Sequence, residues 1–545
     1  MRRRKFVQIA GATAASAALP GIAAARGPSV AADRGAALDH VVVLMFENRS
    51  FDNLLGRLYE PGEVRAFEGV IGKDLRNPIP DWAEHGAEAG SVPYGVAPDM
   101  NTPRPDPGEE YPHINTDLFG ILDPANRFKP LSKMVAPWNA PDDPGRRPTM
   151  DGFVADYIGA FTAEMGRQPT YAEYSQIMTG YTPGQMPVLS TLAKGFATFD
   201  HWFCEVPSQT FTNRSFFHAA TASGFVLNYP PADAFPVRNT AETLFERLEA
   251  KGLTWRVYCD APSPMSFTGI IHAARLRGRF ATNFSTVADF LEDAEAGRLP
   301  TYAFIEPNMW HGHNDMHPPI AALLRGLPFD EPSSLLGGEA LLAQIYDAVR
   351  SSASPDGSNH RNTLLLVVFD EAGGTYDHVP PPPAPPPDPA APAGQMGFTF
   401  DRSGQRLPAI AISAWIPERA VVTGEYRATS LIRTMRERWG LGAPLTARDA
   451  IARDIAPVLS LENPREPDAW PEVAPRPVPE FDAALFPPDR PLSVLGKGAL
   501  RAALAFEESL GAKVPALAHG DAITGAEAVD MLRDGGFDLF PGLRA

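Results

Sequence analysis

Two long apolar segments, each followed directly by a pair of side chains with oxygen donors, constrain the fold of this chain more than any other feature. Residues 41–46 and 363–369 are apolar almost throughout. Strands without a polar face are buried on both sides, which is typical of parallel sheets covered by helices. The sequence therefore predicts an α/β protein with a large, mostly parallel central sheet.

Both segments end in neighbouring oxygen donors, Glu47-Asn48 and Asp370-Glu371. Because open α/β sheets bind ligands at the carboxyl ends of their strands, we expect the two pairs to converge if their strands are neighbours. Together with the hydroxyl of Thr210, these four side chains form a coherent site for one hard divalent cation, with Mg²⁺, Ca²⁺ or Mn²⁺ favoured.

Two of the polar stretches also have a purely structural interpretation. Asn48, Ser50 and Asp52 are residue types that commonly cap a following helix. The hydroxyl-rich turn at 206–215 leads into the apolar and small-residue run 216–224, where a nucleophile or a bound anion would lie at a helix start. An ordinary helix cap has the same composition. At this level both interpretations stay open for each stretch.

The rest of the chain alternates helical and extended patterns. A helix is predicted at 150–165, with Gly166 placed to end it, and residues 186–199 show helical spacing. Residues 57–149 hold no clear strand, which predicts a long functional excursion from the sheet. The remaining predicted helices span 242–250, 287–296, 339–350, 426–439, 498–510 and 526–532, and the remaining strands span 255–258, 302–305 and 409–415.

Length and composition favour one large domain with insertions. The chain has 545 residues, of which 44% are hydrophobic, too many for general disorder. Its formal net charge of -17 argues against an extended polyanion such as DNA, whereas a small anionic substrate bound by a local cation is allowed. We predict a catalytic domain at 36–460, followed by a Pro-rich stretch and short helical tail at 461–545.

The N-terminus has the three parts of an export signal. Arg2, Arg3 and Arg4 precede Lys5 and an apolar run of small residues, so residues 1–25 are predicted to be a signal peptide of the twin-arginine type. This predicts a periplasmic or secreted protein. A membrane anchor is the alternative, but the run is short and no other segment is long enough to span a bilayer.

The cysteines and histidines do not form a recognisable zinc motif. Cys204 and Cys259 either pair in an oxidising compartment or are buried free thiols, and we favour the free thiols. His311, His313 and His317 crowd into one loop. Their spacing is not that of a helical zinc motif, and no cysteine accompanies them.

Five motifs, in the order of the chain, resemble those of the bacterial and plant phosphoesterase family. That family contains the non-specific, phosphatidylcholine-cleaving phospholipases C and a group of acid phosphatases. The usual Thr-x-Pro-Asn-Arg of the family departs here, because Thr212 stands in the proline position and offers a rival hydroxyl to Thr210. The resemblance covers about residues 39–449 and rests on Glu47-Asn48-Arg49-Ser50-Phe51-Asp52, Met150-Asp151-Gly152-Phe153, Thr210-x-x-Asn213-Arg214, Asp370-Glu371-x-x-Gly374-x-x-Asp377-His378-Val379 and Gly404-x-Arg406-x-Pro408.

The resemblance implies an alkaline-phosphatase/sulfatase-like three-layer sandwich with a large central, mostly parallel sheet and long loop insertions. It implies that Thr210 is both the nucleophile and a metal ligand. The other metal ligands that it implies are Glu47, Asn48, Asp370 and Glu371. The histidines that match less tightly, and that would surround the phosphoryl group as catalytic residues, are His113, His272 and His317. His113 or His317 is the favoured proton donor to the leaving alkoxide, and Arg49 and Arg214 are expected to form structural ion pairs.

The predicted function is that of a secreted, metal-dependent phosphoesterase of phospholipase C type. It would hydrolyse phosphodiester bonds of phospholipids through a phospho-threonine intermediate. We expect transient contact with a membrane surface or lipid, no nucleic acid and no stable protein partner. One alternative is a broad acid phosphatase acting on phosphomonoesters, a branch that carries serine where Thr210 stands. Another is a catalytically silent surface binding protein that kept the fold.

Overall fold

The computed structural model describes residues 37–143, 145–228, 235–260, 265–309, 313–319, 334–479 and 494–509, with residues 523, 524, 527 and 540–543 of the tail. The signal peptide predicted at 1–25 lies outside these residues, as does almost all of the helix predicted at 526–532. Within this part of the chain, no helix is both long enough and apolar enough to cross a membrane.

An eight-stranded sheet forms the centre of the structure, in the strand order β14-β6-β13-β11-β1-β10-β8-β9. Five of its seven pairings are parallel and two are antiparallel, which confirms the prediction of a mostly parallel sheet. The strands of the described residues are β1 (His40–Phe46), β2 (Arg76–Pro78), β3 (Ser91–Pro93), β4 (Gly95–Val96), β5 (Thr179–Gly180), β6 (Ala197–Phe199), β7 (Trp202–Phe203), β8 (Trp255–Cys259), β9 (Phe284–Thr286), β10 (Tyr302–Glu306), β11 (Thr363–Phe369), β12 (Arg406–Leu407), β13 (Ala409–Ile412), β14 (Ala420–Val422) and β15 (Tyr426–Arg427).

Strand β1 lies between β10 and β11 and is parallel to both. Its register with β11 runs from His40 opposite Thr363 to Phe46 opposite Phe369. Residues 41–46 and 363–369 are all nearly fully buried. Because successive side chains of a strand point to opposite faces, this burial means that both faces of the sheet are covered.

Two groups of helices provide the cover, so the structure has the three layers expected of this fold class. In one group, Ser334–Ser351 contacts Pro187–Gly195 and Val287–Glu295. In the other, Thr210–Ala219 contacts Leu244–Glu249, Phe267–Ile271 and Ala428–Trp439. The other α-helices of the described residues are Phe51–Leu54, Tyr111–Phe119, Phe153–Met165, Tyr171–Tyr174, Phe235–Arg238, Ala273–Leu276, Ala447–Ile451 and Val494–Ser509.

Two local predictions are wrong in detail. The helical pattern of residues 186–199 ends at Gly195, because Phe196 leaves the helical conformation and β6 then pairs with β13 and β14. Residues 57–149 contain three short strands, β2 to β4, and the helix Tyr111–Phe119. His113 therefore lies on a helix within this excursion. In both places, pairing and packing outweigh the local pattern.

The Pro-rich stretch after residue 460 packs against the core. Trp470 is buried, with its ring centroid 5.0 Å from that of Phe196. The hydroxyl of Tyr346 donates to the carbonyl of Pro471 at 2.7 Å. These contacts join the stretch predicted as part of a tail to the layer formed by Ser334–Ser351.

Both cysteines are buried free thiols, which confirms that expectation. Burial raises the pKa of the Cys204 and Cys259 thiols well above the usual range, and nearby carboxylates add to the effect. Thiols in this state are poor nucleophiles.

Candidate active site

The carboxyl ends of β1 and β11 form one side of a buried polar site. The amide of Asp370 donates to the Phe46 carbonyl at 3.1 Å, and the amide of Asn48 donates to Asp370 Oδ1 at 3.4 Å. Glu47, Asn48, Asp370 and Glu371 are each at most 4% exposed. The expected convergence of the two acidic strand ends is therefore observed.

The chain turns sharply at Asn48. This residue has a φ of +55°, in the left-handed region that residues with a side chain seldom adopt. Gly373, with a φ of +57°, packs against the turn, and a Cβ there would lie 2.5 Å from the Cβ of Asn48. The turn brings the Asn48 amide beside Glu109 and His317.

Ser50 is the residue that caps the helix after β1. Its Oγ accepts from the amide of Asn53 at 3.2 Å and thereby caps the helix Phe51–Leu54. The side chain of Asp52 instead forms an ion pair with Arg406. The structural interpretation thus applies to Ser50, whereas Asn48 contributes its side chain to the site.

The two candidate nucleophiles point to different partners. Thr210 is the first residue of the helix Thr210–Ala219, and its Oγ1 donates to Glu47 Oε2 at 3.2 Å. Thr212 Oγ1 donates to the carbonyl of Phe225 at 2.9 Å. The segment is helical and not extended, so side chains two residues apart lie on different faces. Only the hydroxyl of Thr210 reaches the carboxylates of the site.

One of the two arginines forms the ion pairs expected of it. Arg214 is fully buried, and its Nε donates to Glu47 Oε1 at 3.0 Å and to Asp370 Oδ2 at 3.2 Å. Burial disfavours its charge, but Glu47 and Asp370 outweigh burial and raise the pKa of Arg214.

The expectation for Arg49 is wrong. Its Nε donates to the Met316 carbonyl at 2.7 Å, and its Nη1 donates to the Thr102 carbonyl at 2.8 Å and to Asn53 Oδ1 at 3.1 Å. Arg49 therefore joins loops through neutral oxygen acceptors, since no carboxylate is within ion-pair distance among the described residues.

The oxygen atoms of the site fit a hard divalent cation. Asn48 Oδ1 and Glu371 Oε1 are buried without a hydrogen-bond partner, which is costly unless something else occupies them. Burial raises the pKa of Glu47 and Glu371 well above the usual range, and neighbouring carboxylates add to both shifts. Arg214 supplies one positive charge to three buried carboxylates, those of Glu47, Glu306 and Asp370, and the buried carboxylate of Glu371 adds a fourth. A further cation would complete the balance, and these oxygen donors suit Mg²⁺, Ca²⁺ or Mn²⁺.

Glu109 belongs to the site, although the sequence did not single it out. Its Oε1 accepts from Gln209 Nε2 at 2.9 Å, and its Oε2 accepts from Asn48 Nδ2. Burial opposes its charge, but His317 and the two amide donors lower the pKa of Glu109. Gly374 makes the approach possible, because a Cβ there would lie 2.4 Å from the carbonyl oxygen of Gly108. No local pattern marks this contact.

His317 is the predicted catalytic histidine that the structure brings to the site. Its Nδ1 lies 2.7 Å from the carbonyl of Pro318, to which it can only donate. Its Nε2 lies 2.9 Å from Asn48 Nδ2 and 3.7 Å from Glu109 Oε2. Burial disfavours a charged ring, but Glu109 outweighs burial and raises the pKa of His317. This favours proton uptake at Nε2.

His113 lies in a separate polar cluster. Its Nδ1 is 2.8 Å from Asp156 Oδ1, and its Nε2 is 3.9 Å from Glu110. Burial opposes a charged ring, but Asp156 raises the pKa of His113 to about 9. Among the described contacts, none joins His113 to Thr210 or to the predicted metal ligands.

His272 lies in an aromatic part of the core. It is fully buried, its ring centroid is 5.8 Å from that of His218, and burial lowers its pKa to about 3. The side-chain contacts of the described residues do not connect His272 to Thr210. The structure therefore places neither His113 nor His272 in the group formed by His317 and the five predicted metal ligands.

A second polar cluster ties the two loops of the site together. Asp52, Asp377 and His378 bring potential ligand atoms within 4.8 Å of one another. Arg406 already serves both carboxylates, since Nη2 donates to Asp52 Oδ1 at 2.7 Å and Nε donates to Asp377 Oδ1 at 3.1 Å. His378 Nδ1 lies 2.6 Å from Asp52 Oδ2. The motif residues around Asp377 thus join the loop after β11 to the helix after β1.

Comparisons with known proteins agree with the motifs. A model of the phosphoesterase family matches residues 38–442. Non-specific phospholipase C3 of Arabidopsis thaliana is 31% identical over 444 residues, which cover 78% of this chain and 74% of that protein. Non-hemolytic phospholipase C of Pseudomonas aeruginosa is 27% identical over 525 residues, which cover 86% of this chain and 65% of that protein. Among solved structures, the phosphonate monoester hydrolase of Agrobacterium radiobacter aligns with 50% of this chain and 72% of its own, at 12% identity and a TM-score of 0.27.

Proposed function

The chain belongs to the phosphoesterase family and is a phosphoric ester hydrolase, and from this premise we propose that it is a phospholipase C that cleaves phosphodiester bonds of phospholipids. The observation that carries the proposal is the contact of the Thr210 hydroxyl with Glu47 Oε2, among oxygen donors from two strand ends. A hydroxyl at a helix start beside carboxylates is suited to attack on a phosphoryl group.

We propose that Glu47, Asn48, Thr210, Asp370 and Glu371 hold one divalent cation. The two partnerless oxygens, Asn48 Oδ1 and Glu371 Oε1, support this assignment. When bound, such an ion would neutralise phosphoryl oxygens and make a coordinated hydroxyl a stronger nucleophile.

In the proposed mechanism, each side chain near Thr210 has a separate role. Thr210 Oγ1 passes its proton to Glu47 Oε2 and attacks phosphorus, the new P–O bond forms a phospho-threonine, and the bond to the diacylglycerol oxygen breaks. Glu47 Oε2 orients the attacking hydroxyl, and the helix N-terminus at Thr210 favours the phosphoryl anion. His317 is the imidazole positioned to exchange a proton with the leaving alkoxide and then with the water that hydrolyses the intermediate. Arg214 holds Glu47 and Asp370 in place.

An assay of the purified protein on phosphatidylcholine and, separately, on 4-nitrophenyl phosphate tests the function. We expect release of phosphocholine, loss of activity on chelation and recovery with Mg²⁺, Ca²⁺ or Mn²⁺. Turnover of the monoester alone would instead indicate the acid phosphatase alternative. Absence of turnover on either substrate in metal-loaded protein would support the silent binding protein.

We further propose that the protein is exported and meets its lipid substrate outside the cytoplasm. The arginine-rich start and the small-residue apolar run at 1–25 support this. Fractionation of cells that express the full chain, beside a variant with Arg3 and Arg4 replaced by Lys, tests the route. Unchanged export of the variant would contradict the twin-arginine assignment.

A further inference from the structure

Glu109 is a carboxylate of the site that the proposed mechanism leaves without a task. Glu109 links the predicted metal site to the segment of the nucleophile, because Asn48 Nδ2 donates to its Oε2 and Gln209 Nε2 donates to its Oε1. Asn48 is a predicted metal ligand, and Gln209 directly precedes the nucleophile Thr210. The carbonyl oxygen of the Gln209 side chain is itself fixed, since it accepts from the amide of Asn228 at 3.0 Å.

Glu109 differs from the other carboxylates of the site in its exposure. The side chains of Glu47 and Asp370 are fully buried and Glu371 is 1% exposed, whereas the side chain of Glu109 keeps 16% of its surface exposed. Among these carboxylates, Glu109 is therefore the one most accessible to solvent and to a solute that enters from it.

The hydrogen bonds define the charge of this group. Both oxygens of Glu109 accept from amide N–H donors, which is the pattern of an ionised carboxylate. The titratable group that faces it, His317, lies 3.7 Å away, beyond hydrogen-bond distance. Glu109 is thus a negative charge held by two neutral amides, between a predicted metal ligand and the residue that precedes the nucleophile.

We propose that Glu109 is a specificity-determining residue that discriminates against phosphomonoester dianions and thereby favours phosphodiester monoanions. The proposal rests on the phospholipase C function proposed above. The two substrates differ at one substituent of phosphorus, which is an ester oxygen in the diester and a second oxyanion in the monoester. A carboxylate beside that position repels the second charge and leaves the ester group unaffected.

The test is Glu109→Gln, which keeps the shape and removes the charge. We measure kcat/KM for bis(4-nitrophenyl) phosphate and for 4-nitrophenyl phosphate at pH 8, where the monoester is a dianion. The ratio of diester to monoester efficiency should fall by about tenfold or more. Inorganic phosphate should also inhibit the variant more tightly. Glu109→Ala should shift the ratio in the same direction, which keeps the test valid if one variant folds poorly.

Glu110→Gln is the matched control. Glu110 is the next residue, but it faces His113 and not Asn48, so its replacement should change the ratio by less than about twofold. An unchanged ratio in Glu109→Gln would overturn the inference. So would an equal loss of both activities with loss of bound metal, which would make Glu109 a ligand. Wild-type protein that turns over only the monoester would overturn the proposed function instead.

Discussion

At the scale of single residues, the site depends on which side-chain oxygen atoms have no hydrogen-bond partner. Glu47 uses both of its oxygens, on Arg214 and on Thr210, and Asp370 Oδ2 accepts from Arg214. Asn48 Oδ1 and Glu371 Oε1 remain free at the same strand ends. Protein atoms thus hold the carboxylates in place while two donor oxygens stay available.

The first prediction compares Thr210→Val with Thr212→Val. Both substitutions keep the shape and remove a hydroxyl. Thr210→Val should reduce kcat on a phosphodiester by roughly three orders of magnitude or more, because removal of a nucleophile is among the costliest single changes. Thr212→Val removes only the bond to the Phe225 carbonyl, so kcat should stay within about tenfold of the wild type. Acid trapping of the phosphoryl-enzyme and peptide mapping locate the phosphate, and label on Thr212 would contradict the assignment.

At the scale of elements, the site is assembled where two strand ends and three loops meet. Four of the five predicted metal ligands lie in the turn after β1 and at the start of the loop after β11, and Arg406 joins these two segments through Asp52 and Asp377. All three side chains of this clamp are fully buried. The stability of these ion pairs therefore determines how firmly the pairs Glu47-Asn48 and Asp370-Glu371 are held together.

The second prediction concerns this clamp. Arg406→Met would leave Asp52 and Asp377 buried without their cation, and breaking a buried ion pair in this way costs about 3–5 kcal/mol of unfolding free energy. Urea unfolding followed by circular dichroism measures the loss. The control is Arg361→Gln, which removes an ion pair with Glu466 between half-exposed side chains and should cost far less, because solvent screens such a pair. Equal effects of the two variants would rule out a structural role for the clamp.

The third prediction concerns the contact that brings the Glu109 loop to the site. Gly374 has a φ of +65°, and a Cβ there would lie 2.4 Å from the Gly108 carbonyl oxygen. Gly62 has a φ of +87° but open space around it. Gly62→Ala should cost only the backbone strain, about 1–2 kcal/mol. Gly374→Ala should cost more and should also lower kcat/KM, since the loop must move. Equal stability and activity of the two variants would contradict this account.

At the scale of the whole molecule, stability should depend on pH through the buried histidines. Burial lowers the pKa of His218 well below its usual value and that of His272 to about 3. Below pH of about 6.5 the unfolded chain binds a proton on each histidine that the folded chain does not bind. These two histidines therefore contribute stability that is fully present above about pH 6.5 and is lost as the pH falls from there toward the folded pKa.

The fourth prediction isolates this contribution with His272→Leu, which cannot be protonated. Other groups also titrate, so the informative quantity is the difference between the variant and the wild type. We expect the unfolding free energy of the variant to fall less steeply between pH 7.5 and pH 5 than that of the wild type, as measured by urea titration. Its kcat at pH 7.5 should stay within about tenfold of the wild type, because no described contact joins His272 to Thr210. Loss of catalysis in folded protein would restore His272 to the catalytic residues.

The sequence by itself determined the elements and the chemical types at the strand ends. Strand β11 begins and ends where the apolar segment 363–369 predicted, and the helix Phe153–Met165 ends at Gly166 as expected. Continuous apolar runs and a terminal glycine act over a few neighbouring residues, so they can be interpreted without knowledge of the fold. The two pairs of oxygen donors were likewise visible, because each directly follows its strand.

Only the tertiary structure decided which side chains act together. Glu109 reaches Asn48 across 61 positions, and His378 reaches Asp52 across 326. His113 and His317 look alike in the sequence, but packing places the first against Asp156 and the second against Asn48. Thr210 and Thr212 have the same side chain, but they lie on different faces of one helix, and of the two only Thr210 contacts Glu47. Hydrophobic patterning sets where an element forms, whereas the partners of a polar side chain depend on distances between elements that only the packed core defines.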